Sequence, residues 1–376
     1  MLIRAGQEDR DRGNNPSQGL ALASGGSLGH LKSSARSTRR TVIAAGSSAI
    51  ALAILAAVAV VLTGNHSPAA KRPAPTTTPS ARLSHHVKRP LTSPFTGERI
   101  KYLRRELIFK IDNVVQARPP TGLQDADIVY LLPVEGGLSR IMAVFSSRIP
   151  QVVGPVRSSR EEDVKLLRQF GKPAFAFSGA QPALLPVVEH ARIADLYAGR
   201  VGGYFRDNSR VAPYNLYART RTLLHEAPHA SLARDIGFRF GSAPPGGKRA
   251  HSYSVSYRAA HFTFWWSHKQ HRWLASMDGR LARSANGHLL GGRTVVVQYT
   301  RVRTSVFREL GIRPPYAVTV GHGKAVVLRN GRAYHTSWSR PTKNGGTKFT
   351  LPGGHRMLFA RGQVWVIYAF GPGSTR

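Results

Sequence analysis

The chain has 376 residues, 41% of them apolar, which suffices for about two packed domains and excludes a wholly disordered protein. It contains no cysteine, which excludes disulfides, thiolate zinc sites, cysteine nucleophiles and acylation of a cysteine. Lysine and arginine number 54 against 19 acidic residues, and residues 236–376 hold 22 of these basic residues but only two acidic ones.

The N-terminal part of the chain is predicted to cross a membrane once. Residues 1–40, rich in Gly, Ser, Asn, Arg and Gln, are expected to form a disordered basic tail. Residues 41–63 carry no charge, and a helix of that length spans about 34 Å, enough for a bilayer core. Because Arg39 and Arg40 lie directly before this run, the positive-inside rule places the tail in the cytoplasm and the rest outside. A cleaved signal peptide is the alternative, although its leader is usually shorter.

A stalk and an α/β or α+β domain are predicted to follow. Residues 64–97 contain six prolines and no acidic residue, which favours an extended chain. Within residues 98–242, four short segments rich in Ile, Val, Phe and Tyr are predicted strands, at 107–113, 127–132, 140–147 and 173–178. Three helices are predicted, the first starting after Ser158 or Ser159 in a capping box with Glu161 or Glu162, and the others at 183–196 and 230–236.

Residues 248–376 are predicted to form an all-β domain. Most of this region consists of alternating or β-branched runs, and helix signals stop near residue 243. The dipeptides Asp278-Gly279 and Asn330-Gly331 separate such runs, and this turn chemistry is typical of β-hairpins.

Several short motifs resemble the YerB-like family of envelope proteins, which are usually described as lipoproteins. The motifs are Lys110-Ile-Asp-Asn113, Ala117-Arg-Pro-Pro-Thr-Gly-Leu123, Ala126-Asp-Ile-Val-Tyr130, Val134-Glu-Gly-Gly137 with Ser139-Arg140, Gly154-Pro-Val-Arg-Ser158 with Arg160, Ala212-Pro-Tyr-Asn-Leu-Tyr217, and Asn330-Gly331 with Trp338. The resemblance implies an extracytoplasmic N-terminal α/β domain followed by a β domain, and it brings no established activity. Since there is no cysteine to acylate, the anchor here is expected to be the helix at 41–63.

An anion pocket is predicted in the N-terminal domain, where polar residues follow strands and surround a helix start. Arginine forks bind carboxylate or phosphate, and the predicted ligand-binding residues are Asp112, Asn113, Arg118, Glu135, Arg140, Arg157, Ser158 and Arg160. In the alternative reading, Ser158 and Ser159 cap the helix, Arg157 and Arg160 pair with acidic residues at 161–163, and Asp112 with Asn113 closes a turn.

The sequence also contains candidates for two kinds of enzyme site. Asp112, Asp127 and Glu135 could supply the two facing carboxylates of a glycoside hydrolase, which is the alternative function. His225 and His229 match the His-Glu-x-x-His zinc pattern, but Pro228 would break the helix between them. No metal site and no cofactor are therefore predicted.

The β domain offers a second surface, in which Phe262, Phe264, Trp265, Trp266 and Trp273 alternate with histidine, lysine and arginine. These aromatic residues could stack on a sugar, but alternating aromatics on neighbouring strands more often form a core face. Outside the membrane, the basic excess favours anionic envelope polymers or lipid head groups over nucleic acid. The sequence therefore predicts a membrane-anchored extracytoplasmic protein that binds an anionic envelope ligand or acts as a scaffold.

Overall fold

The computed structural model describes residues 90–309 and 311–371. Twenty-one strands lie in this part of the chain, and the first eight, within residues 98–242, are β1 Leu107–Asp112, β2 Ile128–Pro133, β3 Ser139–Phe145, β4 Val152–Val153, β5 Ala174–Phe177, β6 Ala194–Tyr197, β7 Tyr204–Arg206 and β8 Leu216–Arg219. The helices between them are short and comprise α1 Glu161–Leu167, α2 Leu185–Glu189 and α3 Thr220–Glu226. Single 3₁₀ turns lie at Val115–Ala117, Leu123–Asp125, Glu135–Gly137 and Arg168–Phe170.

The remaining strands follow one another after residue 247 with no helix among the described residues there. They are β9 Lys248–Arg249, β10 Ser252–Tyr257, β11 Ala260–Ser267, β12 Arg272–Met277, β13 Arg280–Leu281, β14 Gly291–Gly292, β15 Thr294–Thr300, β16 Val302–Thr304, β17 Pro315–Ala317, β18 Gly321–Arg329, β19 Arg332–Arg340, β20 Lys348–Thr350 and β21 Val364–Phe370. The described protein is therefore mostly β with few helices, and the predicted β-rich character of the C-terminal region is confirmed.

One large sheet joins the two predicted domains. Its strand order is β20-β19-β18-β15-β21-β2-β3-β1-β5-β6, with β9 added beside β19. The junction is the parallel pairing of β21 with β2, in which Ile128 lies opposite Val364 and Leu131 opposite Ile367. Both strands are almost wholly apolar and buried, as expected when both faces of a sheet are covered. Two apolar cores, one on each face, contain residues from both regions.

The direction of the strands sets the position of polar residues. β1 and β2 each pair antiparallel with β3, so they run in the same direction. β5 and β6 lie parallel to β1, and β21 and β15 lie parallel to β2. The carboxyl ends of six strands therefore meet at one edge of the sheet, where ligands of such sheets usually bind.

Three sequence predictions differ from the structure. Phe95, assigned to the stalk, is fully buried and packs edge-on against Phe170, so the folded part begins before residue 98. Residues 230–236 are not helical, because their backbone bonds to distant segments, as in Ala233 N–H to the carbonyl of Arg104. Residues 183–196 contain only the one-turn helix α2 followed by β6.

The predicted tail at 1–40, the apolar run at 41–63 and most of the stalk lie outside the described residues. Among the helices that the structure describes, none is both long and apolar enough to cross a membrane.

Candidate functional site

Five of the predicted site residues meet at the carboxyl edge of the sheet. Asp112 ends β1 and lies opposite Arg140 of β3, while Glu135 lies in the turn between β2 and β3. Arg157 and Arg160 come from the segment that leads into α1. Together with Glu309 of the C-terminal region, these residues form what we call the arginine–carboxylate cluster.

Glu135 is the centre of this cluster. Its Oε1 accepts hydrogen bonds from Arg140 Nη2 at 3.1 Å and Arg160 Nη2 at 2.5 Å, and its Oε2 accepts one from Arg160 Nε at 2.9 Å. Burial alone would raise the pKa of this carboxyl, but the Arg160 hydrogen bonds and both guanidinium charges lower the pKa to about 2. Glu135 is therefore a fixed negative charge near neutral pH.

Arg160 is the residue that joins the cluster to α1. Its Nη2 also lies 3.1 Å from Glu309 Oε1, and its side chain is only 6% exposed. Arg160 is the N-cap residue that precedes α1, and its backbone N–H donates to Asp163 Oδ2 at 2.7 Å. The prediction that Ser158 or Ser159 caps this helix with Glu161 or Glu162 is wrong, because the capping residue is Arg160 and the capping carboxylate belongs to Asp163.

Arg157 is paired with Asp112. The alternative interpretation, in which it pairs with the acidic residues of α1, is therefore wrong for this arginine. Arg157 Nε lies 2.7 Å from Asp112 Oδ2, and its guanidinium lies over the ring of Tyr214 at 6.0 Å. The Asp112 Oδ1 atom accepts the backbone N–H groups of Asn113 at 2.9 Å and Val114 at 3.4 Å. Arg157 is 27% exposed, while Asp112 is buried.

Asn113 and Arg118 form a second, adjoining group. The Asn113 amide donates to Ser139 Oγ at 2.9 Å, and Arg118 Nη2 donates to the Asn113 carbonyl at 2.6 Å. Arg118 Nη1 then reaches Asp278 Oδ2 at 2.7 Å, in the β12–β13 turn. Arg118 thus connects the two regions, and its charge is largely neutralised by Asp278.

Ser158 contributes its backbone more than its hydroxyl. Its carbonyl accepts from Arg140 Nη1 at 3.4 Å, whereas its Oγ lies 3.5 Å from Ser178 Oγ. Arg140 is 6% exposed, and its Nε has no hydrogen-bond partner among the described residues. Burial and the neighbouring Arg160 lower the pKa of Arg140 to about 10, which leaves it charged near neutral pH.

Asp127 lies away from the other candidate carboxylates. It precedes β2, and its backbone N–H bonds to Val144, four residues along β3 from Arg140. At the rise of a strand this separation is about 13 Å. Its Oδ2 accepts the N–H of Ser147 at 2.8 Å, and burial, opposed by that bond, raises its pKa to about 6.

This geometry does not favour a glycoside hydrolase. Such an enzyme needs one carboxyl that stays protonated as the general acid and a second that faces it. Asp127 is too distant to pair with Asp112, and the lowered pKa of Glu135 suits an ion pair rather than an acid.

A buried ionic group under the cluster was not predicted from the sequence. Lys110 Nζ lies 2.6 Å from Asp163 Oδ1, both side chains being fully buried, and Glu162 beside them accepts the N–H of Ala317 at 3.2 Å. Burial, opposed chiefly by Lys110, raises the pKa of Glu162 to about 8. In the sequence, the feature that could have indicated this group is Lys110, which lies within the mostly apolar strand β1. No local sequence feature identifies Glu309 as a partner of Arg160.

The remaining motifs are also placed by the structure. Helix α3 ends at Glu226, so His225 and His229 do not share a helix, although Pro228 follows α3 rather than starting a new one. Phe262, Phe264 and Trp273 are buried, which confirms that these aromatics form a core face, while Trp265 is 51% exposed.

Comparison with known proteins defines the family. A family model described as "Protein of unknown function (DUF3048) N-terminal domain" matches residues 95–233, and the model of its C-terminal domain matches residues 252–366. The two models cover about two thirds of the chain, so this protein belongs to the DUF3048 family.

Two comparisons connect this family to YerB, as the sequence motifs had indicated. Over 84 residues the chain is 42% identical to "Putative lipoprotein YerB" of Bacillus subtilis (strain 168), a match that spans 22% of this chain and a quarter (25%) of that relative. The crystal structure of the YerB protein from Bacillus subtilis superposes with a TM-score of 0.64 at 22% identity, covering 74% of this chain and 96% of that one. The fold is therefore shared, and the relative's name points to the cell envelope.

Proposed function

We propose that this protein is an extracytoplasmic envelope protein, anchored by residues 41–63, that binds an anionic envelope polymer through the arginine–carboxylate cluster. The uncharged run with arginines directly before it supports the anchor and its orientation. The lipoprotein name of the Bacillus relative supports the same compartment. On this proposal the uncharged run at 41–63 takes the place of an acylated cysteine, since no cysteine is present.

The observation that carries the binding proposal is the meeting of Arg140, Arg157 and Arg160 at the carboxyl edge of the sheet. These arginines come from two separate segments and are held in fixed positions by Glu135 and Asp112. Of the three side chains, Arg157 is the most exposed, at 27%, so its guanidinium is the one that a ligand can reach. A guanidinium held in this way loses little side-chain entropy when it binds a planar carboxylate, so a carboxylated wall polymer is the ligand we propose.

The basic excess of the chain supports association with such a polymer. Between residues 279 and 376 only Glu309 is acidic, against 16 basic residues. A field of this sign increases the encounter rate with a polyanion and weakens with salt. The field attracts the polymer, and the cluster supplies the specific contact.

The anchor is tested by adding a protease to intact cells. We expect cleavage within residues 64–89 to release a fragment containing residues 90–376, while residues 1–63 stay with the membrane. Recovery of the intact chain from the cytoplasmic fraction would contradict the topology.

The cluster is tested by co-sedimentation of the detergent-solubilised full chain with purified cell wall. Arg157 is the residue to change, because Arg160 is deeply buried between two carboxylates and its loss would destabilise the fold. Arg157→Gln should reduce the bound fraction, and Arg157→Lys, which keeps the charge, should retain most of it. Equal binding by wild type and Arg157→Gln would remove the cluster from the proposal.

A further inference from the structure

We propose a second binding site, specific for a phosphate group, in a groove between α1 and the C-terminal region. The groove has a volume of about 350 Å³ and is lined by Val164, Lys165, Arg168, Arg303, Tyr316, Val318, Thr319, Val320 and Lys343. We call it the cationic groove. It shares no residue with the arginine–carboxylate cluster, so this inference does not depend on the proposed function of that cluster.

Four cationic side chains line the cationic groove, and no acidic residue does. Arg303 and Lys343 are exposed and have no acidic partner in the part of the chain that the structure describes. Arg168 Nε donates to Asn344 Oδ1 at 3.1 Å, which is a neutral partner. Lys165 alone is ion-paired, with Glu161 at 2.5 Å. The groove therefore has a surplus of positive charge that the protein itself does not neutralise.

The groove is held in shape by Arg340, a fully buried residue. Its Nη2 donates to the backbone carbonyls of Lys165 at 3.0 Å and Lys343 at 2.6 Å, and its Nη1 donates to Thr319 Oγ1 at 3.2 Å. A single guanidinium thus fixes three residues of the lining, which come from distant parts of the chain. The Lys165 ammonium also lies 4.0 Å from the centre of the Tyr316 ring. Such preorganisation reduces the entropy cost of binding.

Phosphate is the anion that this arrangement fits. A planar carboxylate is satisfied by one arginine fork, whereas the oxygens of a tetrahedral phosphate accept hydrogen bonds from several cations in different directions. Val164, Val318 and Val320 provide an apolar wall beside these charges. The occupant is therefore a phosphate ester with an apolar neighbouring part, either a phospholipid head group or a soluble phosphate compound.

Calorimetric titration of the full chain in neutral detergent tests this site, with pyrophosphate as the soluble probe and dihexanoyl phosphatidylglycerol as the lipid probe. The variant Arg303→Gln with Lys343→Gln changes only exposed side chains, so it should fold normally. We expect its affinity for the preferred probe to fall at least about tenfold, the effect of losing charge-assisted contacts. Tighter binding of the lipid probe would assign the site to a head group, and tighter binding of pyrophosphate to a soluble phosphate.

A control variant separates the groove from diffuse charge. Lys324→Gln removes one exposed charge from β18, outside the groove. It should leave phosphate binding within about twofold, because diffuse charge contributes weakly. If neither probe binds the wild type, or if the double variant binds as tightly as Lys324→Gln, the cationic groove is not a phosphate site.

Discussion

Acidic residues of this protein have opposite electrostatic roles according to their partners. Glu135 is surrounded by arginines that lower its pKa to about 2, so it stabilises the fold above the pKa of an unfolded glutamate and loses that contribution as the pH falls towards 2. Glu106 is fully buried, and neither of its carboxyl oxygens has a well-formed hydrogen bond to the described residues. Burial, opposed by the nearby Arg234, raises the pKa of Glu106 to about 9. As the pH rises, ionisation of Glu135 therefore increases the stability of the folded state, whereas ionisation of Glu106 decreases it.

Glu106→Gln should make the protein more stable at alkaline pH. The folded state keeps the Glu106 proton up to about pH 9, while the unfolded chain releases it near 4.5, so wild-type stability falls as the pH rises between these values. A neutral amide removes this penalty. Urea denaturation should show a gain of about 1 kcal/mol for the variant at about pH 5 that rises to about 4 to 5 kcal/mol at about pH 8. The exposed Glu226→Gln is the control, and the same pH-dependent gain there would refute the explanation.

Residue types identified the arginine–carboxylate cluster from the sequence, but their pairing could not be predicted. Asp112, Glu135, Arg140, Arg157 and Arg160 do lie together, as their positions after strands and before a helix indicated. Their partners depend on the strand register, which places Arg140 opposite Asp112. The alternative interpretation paired the two arginines at 157 and 160 with the acidic residues at 161–163, because residues three or four apart at a helix start are near neighbours.

Among the secondary-structure elements, the turn between β2 and β3 both positions Glu135 and contacts the C-terminal region. Gly136 and Gly137 both have left-handed backbone angles, with φ of 71° and 73°. The Gly137 carbonyl accepts the N–H of Ala259 at 3.0 Å, in the hairpin between β10 and β11. This turn therefore connects the β10–β11 hairpin to Glu135, a member of the arginine–carboxylate cluster.

Alanine substitutions at the two glycines separate backbone strain from packing. Gly136→Ala should cost about 1 kcal/mol for the left-handed conformation, since its new Cβ meets only Leu138 at 3.7 Å. Gly137→Ala carries the same backbone cost, and its Cβ would lie 2.5 Å from Arg258 Cβ, so it should cost about 2 kcal/mol more. Thermal denaturation of both variants measures the difference. Equal destabilisation would show that the turn does not pack against the hairpin as described.

Strands were predicted from the sequence better than helices, for a physical reason. Segments such as β2 and β21 are continuous apolar runs, which are typical of strands buried on both faces. Residues 230–236 carry a helix-like pattern, but the backbone N–H of Ser231 bonds to Lys172 and its carbonyl accepts from Glu106. Such long-range pairing overrides local helix propensity and leaves no local signal.

For the whole molecule, the shared sheet means that the two regions support each other. Removal of either would expose the edge between β2 and β21 at the centre of the sheet. Turn dipeptides and composition indicated two regions, but the pairing of strands more than 200 residues apart could not be deduced from them. Some of the excess basic residues stabilise the fold rather than contribute surface charge. Arg329, for example, is 3% exposed and donates to the carbonyls of Gly241, Ser242 and Leu358.

We expect both regions to unfold together. Hydrogen exchange of the full chain in increasing urea, read by mass spectrometry, should give one midpoint for peptides of β3 and of β15, because each strand is internal to the same sheet. Separate midpoints for the two peptides would show that the regions are independent domains despite the shared sheet.

The central claim is that a defined arginine site, not only a diffuse field, binds a carboxylated polymer. Calorimetric titration of the full chain with polygalacturonate at low and high salt tests it most directly, with Arg157→Gln compared with Lys324→Gln. A field contribution is screened by salt, whereas a contact within a partly buried site is screened less. We predict that Arg157→Gln weakens binding about tenfold or more at both salt concentrations, while Lys324→Gln weakens it slightly and only at low salt. Identical, salt-sensitive losses in the two variants would contradict the account.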